Sequence, residues 1–460
     1  MSIEVLDSVG LPAEEIAAWR TAERAEFGSF AASARAVSEY LTRGEGLLAR
    51  LPERGSRNEA EAAAAEAVVA ASDSARERFF RAHAEELYSA LTNGFTRMVR
   101  VEELVYDAAE RWPGLVPTRE QVEAERSRKL SEKDGLEIAQ GLMISHLLAS
   151  PHAGSHLVHA MLRPMPEALE RADDFRSTGV ADLGVAYLER RGKMGLLEIR
   201  NPRRLNAEDD DTLGPTEWAT DLALLDPEIE VVVMRGGVVE HPRYAGRRIF
   251  GAGLNLTFLY HGRLSFLFFI TRDLGYVNKI YRGLSAEEHR PEEPEDTIEK
   301  LWVAAVETYA IGGACQLLHV VDHVIAERGA RLFLPARKEG IIPGASPLRL
   351  PRFVGERLAR QAIFSGREFE AGTPEGDMLV DEVVEVSEMD AAIEARVAAL
   401  TSSGLVSSAA NRRGMRVGQE PLDIFRQYMA TFSREQGYCH FSPALIRNLE
   451  ENWNANQRSV

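Results

Sequence analysis

Arg247-Arg-Ile-Phe-Gly-Ala-Gly-Leu254-Asn-Leu256 and Tyr309-Ala-Ile-Gly312-Gly313-Ala-Cys-Gln316-Leu317 decide the reading of this chain. In each, glycine stands where a strand-like run gives way to a turn or helix, so a backbone N–H can approach a ligand with no side chain in the way. Two such donors meeting on one oxygen form an oxyanion hole, able to hold a thioester carbonyl while it becomes an enolate. Glycine-rich turns also occur for purely steric reasons, and either cluster alone is open to that reading.

Upstream lie Leu197-Glu-Ile-Arg-Asn201-Pro202-Arg-Arg-Leu-Asn206-Ala207 and Glu230-Val-Val-Val-Met-Arg-Gly236. Downstream come Glu339-Gly-Ile-Ile-Pro343-Gly344 and Leu350-Pro351-Arg-Phe-Val-Gly355. This succession resembles the crotonase (enoyl-CoA hydratase/isomerase) superfamily over roughly residues 180–385. The resemblance implies an α/β fold, a spiral of β-β-α turns whose sheets stack on one another, with the pocket beside the helix that Gly313 begins.

Texture divides the chain into three. Residues 1–178 are rich in Ala, Glu, Arg and Leu at helical spacing, as in Glu59-Ala-Glu-Ala-Ala-Ala-Ala-Glu-Ala-Val-Val-Ala-Ala71, and predict an all-helical N-terminal domain punctuated at Pro113-Gly114 and Pro164-Met-Pro166. Residues 179–385 alternate short β-rich segments with helices and form the expected catalytic core: Val185 to Ile199 reads as a hairpin turning near Gly192, and Val231 to Met234 as a buried strand. The helix after Gly313 is expected to carry Gln316, Leu317, Val320 and Val321. Residues 386–460 return to helix at Met389 to Leu400 and at Pro443 to Asn452, the latter behind a Phe-Ser cap signal. By the resemblance, such C-terminal helices pack on the core or a neighbouring subunit, implying a homotrimer or dimer of trimers; burial within one subunit would leave the same pattern.

A formal charge of −17, from 71 acidic against 54 basic residues, argues against DNA as the main partner. Arg203, Arg204, Arg247 and Arg248 can still offer a local patch for a CoA phosphate, although arginines beside a strand are also ordinary solvated surface. Two cysteines, Cys315 and Cys439, are too few for a disulfide framework and fit a reducing cytoplasm. The N-terminus, Met-Ser-Ile-Glu-Val-Leu-Asp, lacks a basic segment followed by an apolar core, so no secretory signal is expected. The most apolar stretch, Leu264-Ser-Phe-Leu-Phe-Phe-Ile270, is far shorter than the ~20 residues that cross a bilayer.

The chain departs from the hydratase pattern of the superfamily, in which two glutamates manage the proton transfers of water addition. Gln316 stands at the first of these positions, and aligning Phe333-Leu-Pro335-Ala336-Arg-Lys-Glu-Gly340 puts Ala336 at the second, with Glu339 displaced. An amide does not exchange a proton near neutral pH and alanine offers none, so hydration by the family route is not expected. A second departure is the enlarged segment from Thr257 to Ile280, whose aromatic and aliphatic residues suit either an acyl pocket or plain core packing.

Within the superfamily this combination is similar to a cofactor-free branch that oxygenates arylacetyl-CoA thioesters. The resemblance implies conversion of 3,5-dihydroxyphenylacetyl-CoA and O2 to 3,5-dihydroxyphenylglyoxylate and free CoA, in supply of dihydroxyphenylglycine for glycopeptide antibiotics. It implies that the N–H groups of Leu254 and Gly313 hold the thioester oxygen, that Gln316 stands near the reacting carbon, and that Glu208 and Arg272 meet the ring hydroxyls. Arg203, Ala252, Gly253, Asn255, Leu256, Ile311 and Gly312 complete the expected substrate site. No metal or cofactor is implied. His146, His152, His156 and His159 cluster in the helical region, and His319 and His323 stand four apart, but no HExxH-type glutamate accompanies them and the glycines lack P-loop or GxGxxG spacing. Two other kinds of function stay open: another crotonase chemistry (thioesterase, isomerase or decarboxylase) and an inactive acyl-CoA-binding scaffold.

Overall fold

The computed structural model of the chain describes residues 3–22, 28–285 and 296–458; Met1 and Ser2 of the N-terminal segment lie outside them. Helices fill the region before residue 179, led by Phe30–Leu48, Glu59–Leu91, Ile138–Ala149 and Pro151–Leu162. The long Glu59–Leu91 helix starts where its sequence says it should: Asn58 accepts from the Glu61 N–H at 2.9 Å and the Glu61 carboxylate accepts from the Asn58 N–H at 2.8 Å, a reciprocal cap. The last helix of this region, Pro166–Thr178, stops at Gly179, which takes the left-handed conformation of a C-terminal cap.

Strands then follow in order: β1 (Val180–Asp182), β2 (Ala186–Arg191), β3 (Met194–Ile199), β4 (Val231–Gly236), β5 (Leu284–Ser285), β6 (Thr297–Ile298), β7 (Leu301–Val306), β8 (Tyr309–Ile311), β9 (His323–Glu327), β10 (Arg331–Phe333), β11 (Phe369–Glu370) and β12 (Glu382–Val384). The main sheet runs β1-β2-β3-β4-β7-β9-β12, with β1, β2 and β3 antiparallel and the rest parallel; a small sheet runs β11-β10-β8. The spiral is explicit after residue 300. β7 joins the main sheet, β8 the small one, and a short helix Gly313–Leu317 follows; β9, β10 and the helix Ala336–Glu339 repeat the turn. The predicted β2–β3 hairpin forms, with Gly192 at positive φ in its turn.

Two expectations change. The helix begun by Gly313 ends at Leu317, so Val320 and Val321 lie beyond it. The phenylalanine-rich segment is neither wholly pocket nor wholly core: it folds as Phe266–Leu274, capped by Ser265, with Phe266 and Ile270 fully buried.

The hydrophobic core crosses the textural boundaries. Leu142, Met143 and Leu147 of the N-terminal region share one cluster with Phe266, Phe268 and Phe269 and with Phe425, Met429 and Phe432 of the C-terminal Leu422–His440 helix. That helix packs along Ile138–Ala149. A second cluster fills the spiral between its sheets and helices, joining Val232, Trp302, Ala304 and Leu332. Buried charges join the regions too: Lys279 meets Glu217 and Asp221, each at 2.7 Å, and Arg100 of the N-terminal region meets Glu217 at 2.7 Å.

Candidate active site

Gly251 and Ala310 pair as a parallel bridge, with the Ile311 N–H donating to the Gly251 carbonyl at 3.0 Å. Leu254 and Gly313 each stand three residues past that pair, where Leu254 bridges to Glu208 and Gly253 lies against Gly312 and Gly313. Close approach explains the glycines. A Cβ on Gly253 would lie 2.6 Å from the Ile311 carbonyl and 3.0 Å from the Gly313 nitrogen, and Gly253 has φ +75°. A Cβ on Gly313 would lie 2.0 Å from a Glu208 carboxylate oxygen. Neighbouring N–H groups have partners: Gly312 donates to Phe333 at 2.9 Å and Asn255 to Glu208 at 2.8 Å. Neither the Leu254 nor the Gly313 N–H donates to a main-chain carbonyl among the described residues. Both residues line one cavity of about 30 Å³, room for roughly one water and narrower than an aromatic ring.

Arg272 organises the polar wall. From the buried Phe266–Leu274 helix its Nε donates to Glu208 at 3.0 Å, one terminal nitrogen to the Gln316 side-chain oxygen at 2.9 Å, and the other to the Gly313 carbonyl at 2.8 Å. The Tyr276 hydroxyl also donates to Glu208. Burial opposes the Arg272 charge, but Glu208, Tyr276 and Asp273 outweigh it and hold the guanidinium above its ordinary pKa. Burial likewise pushes Tyr276 well up, so it stays a neutral donor.

Among the residues expected at the site, Leu254, Gly313, Gln316, Glu208, Arg272 and Gly312 line this cavity. The others do not reach its wall. The Asn255 side chain is committed to capping, accepting from the Phe258 N–H at 3.2 Å and donating to Asp209 at 2.9 Å. Ala252 and Ile311 pack in a small apolar cluster around Val239, Ile249 and Tyr309, Leu256 packs on the helical core, and Gly253 acts through its close approach to Gly313. The Arg203 side chain is 87% exposed and 3.5 Å from Glu240. Arg204 lies over the Phe258 ring, and Arg247 and Arg248 pair with Glu327 and Glu198.

Other wall residues were not singled out as site residues by the sequence reading. Phe268 and Phe269 line the cavity and also pack in the core cluster that holds Phe266 and Ile270 of the same helix, a double contact that helical periodicity permits but does not assign. Glu339 lines it as well and is 7% exposed. It lies three residues after Ala336 on one short helix, hence on the same face, and that spacing was the available signal. Burial alone pushes its carboxyl up to about 8. Ile341, Ile342, Pro343 and Gly344 close the cavity, and a Cβ on Gly344 would lie 2.3 Å from the Gln316 oxygen.

The histidines do different work. His156 bonds to the Tyr88 hydroxyl at 2.8 Å and the Phe95 carbonyl at 2.9 Å. Because the helix ends at Leu317, His319 and His323 are not helical neighbours; His319 contacts Ser346 at 3.3 Å and His323 opens β9. Among the described residues no three His, Cys, Asp or Glu side chains group as metal ligands, and no helix is long and apolar enough to cross a membrane. Burial pushes the Cys315 thiol up to about 12, far from a reactive thiolate.

The enoyl-CoA hydratase/isomerase family matches residues 294–427. The chain is 47% identical over 403 residues to a (3,5-dihydroxyphenyl)acetyl-CoA 1,2-dioxygenase of Amycolatopsis orientalis, covering 87% of this chain and 92% of that one. It is 30% identical over 210 residues to a short-chain-enoyl-CoA hydratase of Clostridium acetobutylicum, covering 45% of this chain and 72% of the relative. Among solved structures, an enoyl-CoA hydratase/isomerase from Xanthobacter autotrophicus Py2 aligns with a TM-score of 0.48 at 20% identity, over 60% of this chain and 96% of its own.

Proposed function

The chain belongs to the enoyl-CoA hydratase/isomerase, or crotonase, family, and on that premise we propose that it is a dioxygenase that converts 3,5-dihydroxyphenylacetyl-CoA and O2 to 3,5-dihydroxyphenylglyoxylate and CoA. The 47% identity to the dioxygenase of Amycolatopsis orientalis, over nearly the whole of both chains, supports the substrate and the reaction. One structural observation carries the chemistry: the N–H groups of Leu254 and Gly313, neither bonded to a main-chain carbonyl among the described residues, belong to residues that line one cavity.

The thioester carbonyl takes up those two donors, and the negative charge of the enolate collects where they point. The enolate carbon gives an electron to O2, the two radicals combine as a peroxide on that carbon, and the peroxide closes on the thioester carbonyl and expels CoA. The reaction uses no cofactor, since the enolate itself is the reductant. Gln316, held by Arg272, stands beside the reacting carbon and orients the peroxide. Glu208 and Arg272, already paired, receive the ring hydroxyls, and Phe268, Phe269 and Ile342 contribute the apolar walls. Because the empty cavity is narrower than the ring, its walls part on loading.

The protein works in the cytoplasm as a homotrimer or dimer of trimers, supplying dihydroxyphenylglycine for glycopeptide antibiotics. Val406 and Val417, exposed on one face of the Leu405–Gln419 helix, support a subunit contact there.

Chelator-treated protein mixed with the arylacetyl-CoA in an oxygen electrode tests this reading. The expected result is O2 uptake matched by thiol release. Thiol release without O2 uptake points to a hydrolytic crotonase, and neither points to an acyl-CoA-binding scaffold.

A further inference from the structure

The site as described has an oxyanion hole and an amide, yet enolate formation needs a group that accepts a proton. Asp273 and Glu208 also line the cavity, but each faces the Arg272 cation: Glu208 accepts from it at 3.0 Å, and the Asp273 Oδ1 lies 3.8 Å from it in an ion pair without a hydrogen bond among the described residues. Glu339 differs. Its carboxyl has no hydrogen-bond or ion-pair partner among the described residues, and it is buried in the wall shared by Leu254, Gly313 and Gln316. The cavity wall thus carries this unpartnered carboxyl together with the two N–H donors and the Gln316 amide.

We infer that Glu339 is the base of the reaction, taking one benzylic proton from the bound thioester and returning it to the departing CoA sulfur. The second half rests on the dioxygenase reading; the first rests only on enolate formation in this cavity. When the C–H bond breaks, its electron pair stays on carbon as the enolate and the proton forms an O–H bond on Glu339. After O2 has been reduced onto that carbon and the peroxide has closed on the thioester carbonyl, the C–S bond breaks with its pair on sulfur. The Glu339 O–H then breaks and an S–H bond forms. The second benzylic hydrogen leaves as a proton when the O–O bond breaks, its C–H pair becoming part of the new ketone. Both oxygen atoms end in the arylglyoxylate.

An apolar wall suits this role, because a carboxylate stripped of water is a stronger base than an ordinary one, and the carboxyl titrates at about 8 for that reason. No charge adds to that shift. Arg337 and Lys338 on its own helix, and Arg447 and Glu451 on the Pro443–Trp453 helix packed against it, are exposed, and Glu450 accepts from Tyr260 at 2.7 Å. Arg272, which faces the same cavity, forms ion pairs with Glu208 at 3.0 Å and with Asp273 at 3.8 Å.

Exchange of the benzylic hydrogens of 3,5-dihydroxyphenylacetyl-CoA in D2O without oxygen, followed by mass spectrometry, isolates the first step. The wild type is expected to exchange them, with a rate that rises with pH through about 8. Glu339→Gln, which keeps shape and neutrality, is expected to slow exchange roughly 100-fold or more while thioester affinity changes less than about threefold, and Glu339→Asp to restore part of the rate. Wild-type exchange in Glu339→Gln, or affinity lost in step with exchange in both variants, overturns the assignment. Exchange by the wild type without O2 uptake in air would leave the base in place and remove the dioxygenase reading.

Discussion

Gly253 and Gln316 show how much of the site hangs on single atoms. Adding one methyl group to Gly253 strains a backbone at φ +75° and drives a carbon to 2.6 Å from the Ile311 carbonyl, separating the two N–H donors. Gly253→Ala is therefore expected to lower kcat by roughly 100-fold, the scale of losing one oxyanion donor, which steady-state O2 uptake measures. Gln316→Ala is expected to reduce oxygenation much more than thioester binding if Gln316 stands beside the reacting carbon as proposed; equal losses in a binding titration and a turnover assay would remove it from that place. Glu339 also leaves a stability signature. Its pKa in the fold, about 8, lies above an ordinary 4.5, so the folded state holds the extra proton between these values. Stability then falls as pH climbs through that window, by an order of a few kcal/mol, and urea midpoints of Glu339→Gln are expected to lose that slope.

At the scale of elements, the Leu422–His440 helix acts on the site without lining it. Its Tyr428 hydroxyl donates to the Gly344 carbonyl, and the Gln436 side-chain oxygen accepts from the Ile342 N–H at 3.0 Å, which pins the 341–344 wall. Tyr428→Phe keeps the ring and removes the bond. It is expected to cost about 1 kcal/mol of stability in denaturant titrations and to raise KM as the wall loosens, with Gln316 and Arg272 still joined. The short Ala336–Glu339 helix illustrates what pattern reading sees. Alignment to a single position finds alanine, whereas one helical turn later the same face carries a carboxyl. Likewise in the Phe266–Leu274 helix Phe268 and Phe269 reach the cavity while sharing a core cluster with Phe266.

Over the whole molecule, buried charges fasten the C-terminal region to the spiral. Glu420 accepts from Arg349 at 2.9 and 3.0 Å and from Arg352 at 2.7 Å, and its carbonyl accepts from Arg282 at 2.7 Å. Burial opposes its charge, yet Arg349, Arg282 and Arg352 outweigh that and hold its carboxyl down to about 2. The folded state thus has fewer protons than the unfolded chain between about 2 and 4.5. Its contribution, about 3 kcal/mol, is complete above 4.5 and disappears as pH falls through 2. Glu420→Gln is expected to cost roughly 3–5 kcal/mol at pH 7, by leaving buried guanidinium groups without their counter-charge, and to flatten the acid limb of a thermal-melt series.

The resemblance to the superfamily implied the spiral and the replacement of the hydratase glutamates, and the residues alone determined the alternation of short strands and helices in the core, the helical regions on either side and the two glycine turns. These follow from local rules, periodicity, capping and glycine's backbone freedom, which act over a few residues. Only the tertiary structure decided that Leu254 and Gly313 share one cavity, that Arg272 ties Glu208 to Gln316, that Glu339 enters the site, and that Asn255 and Arg203 do not line it. The physical reason is that these outcomes depend on parallel register, on which face of a helix meets the core, and on desolvation. Each is set by chain segments tens to hundreds of residues apart, where spacing along the sequence carries no distance in space.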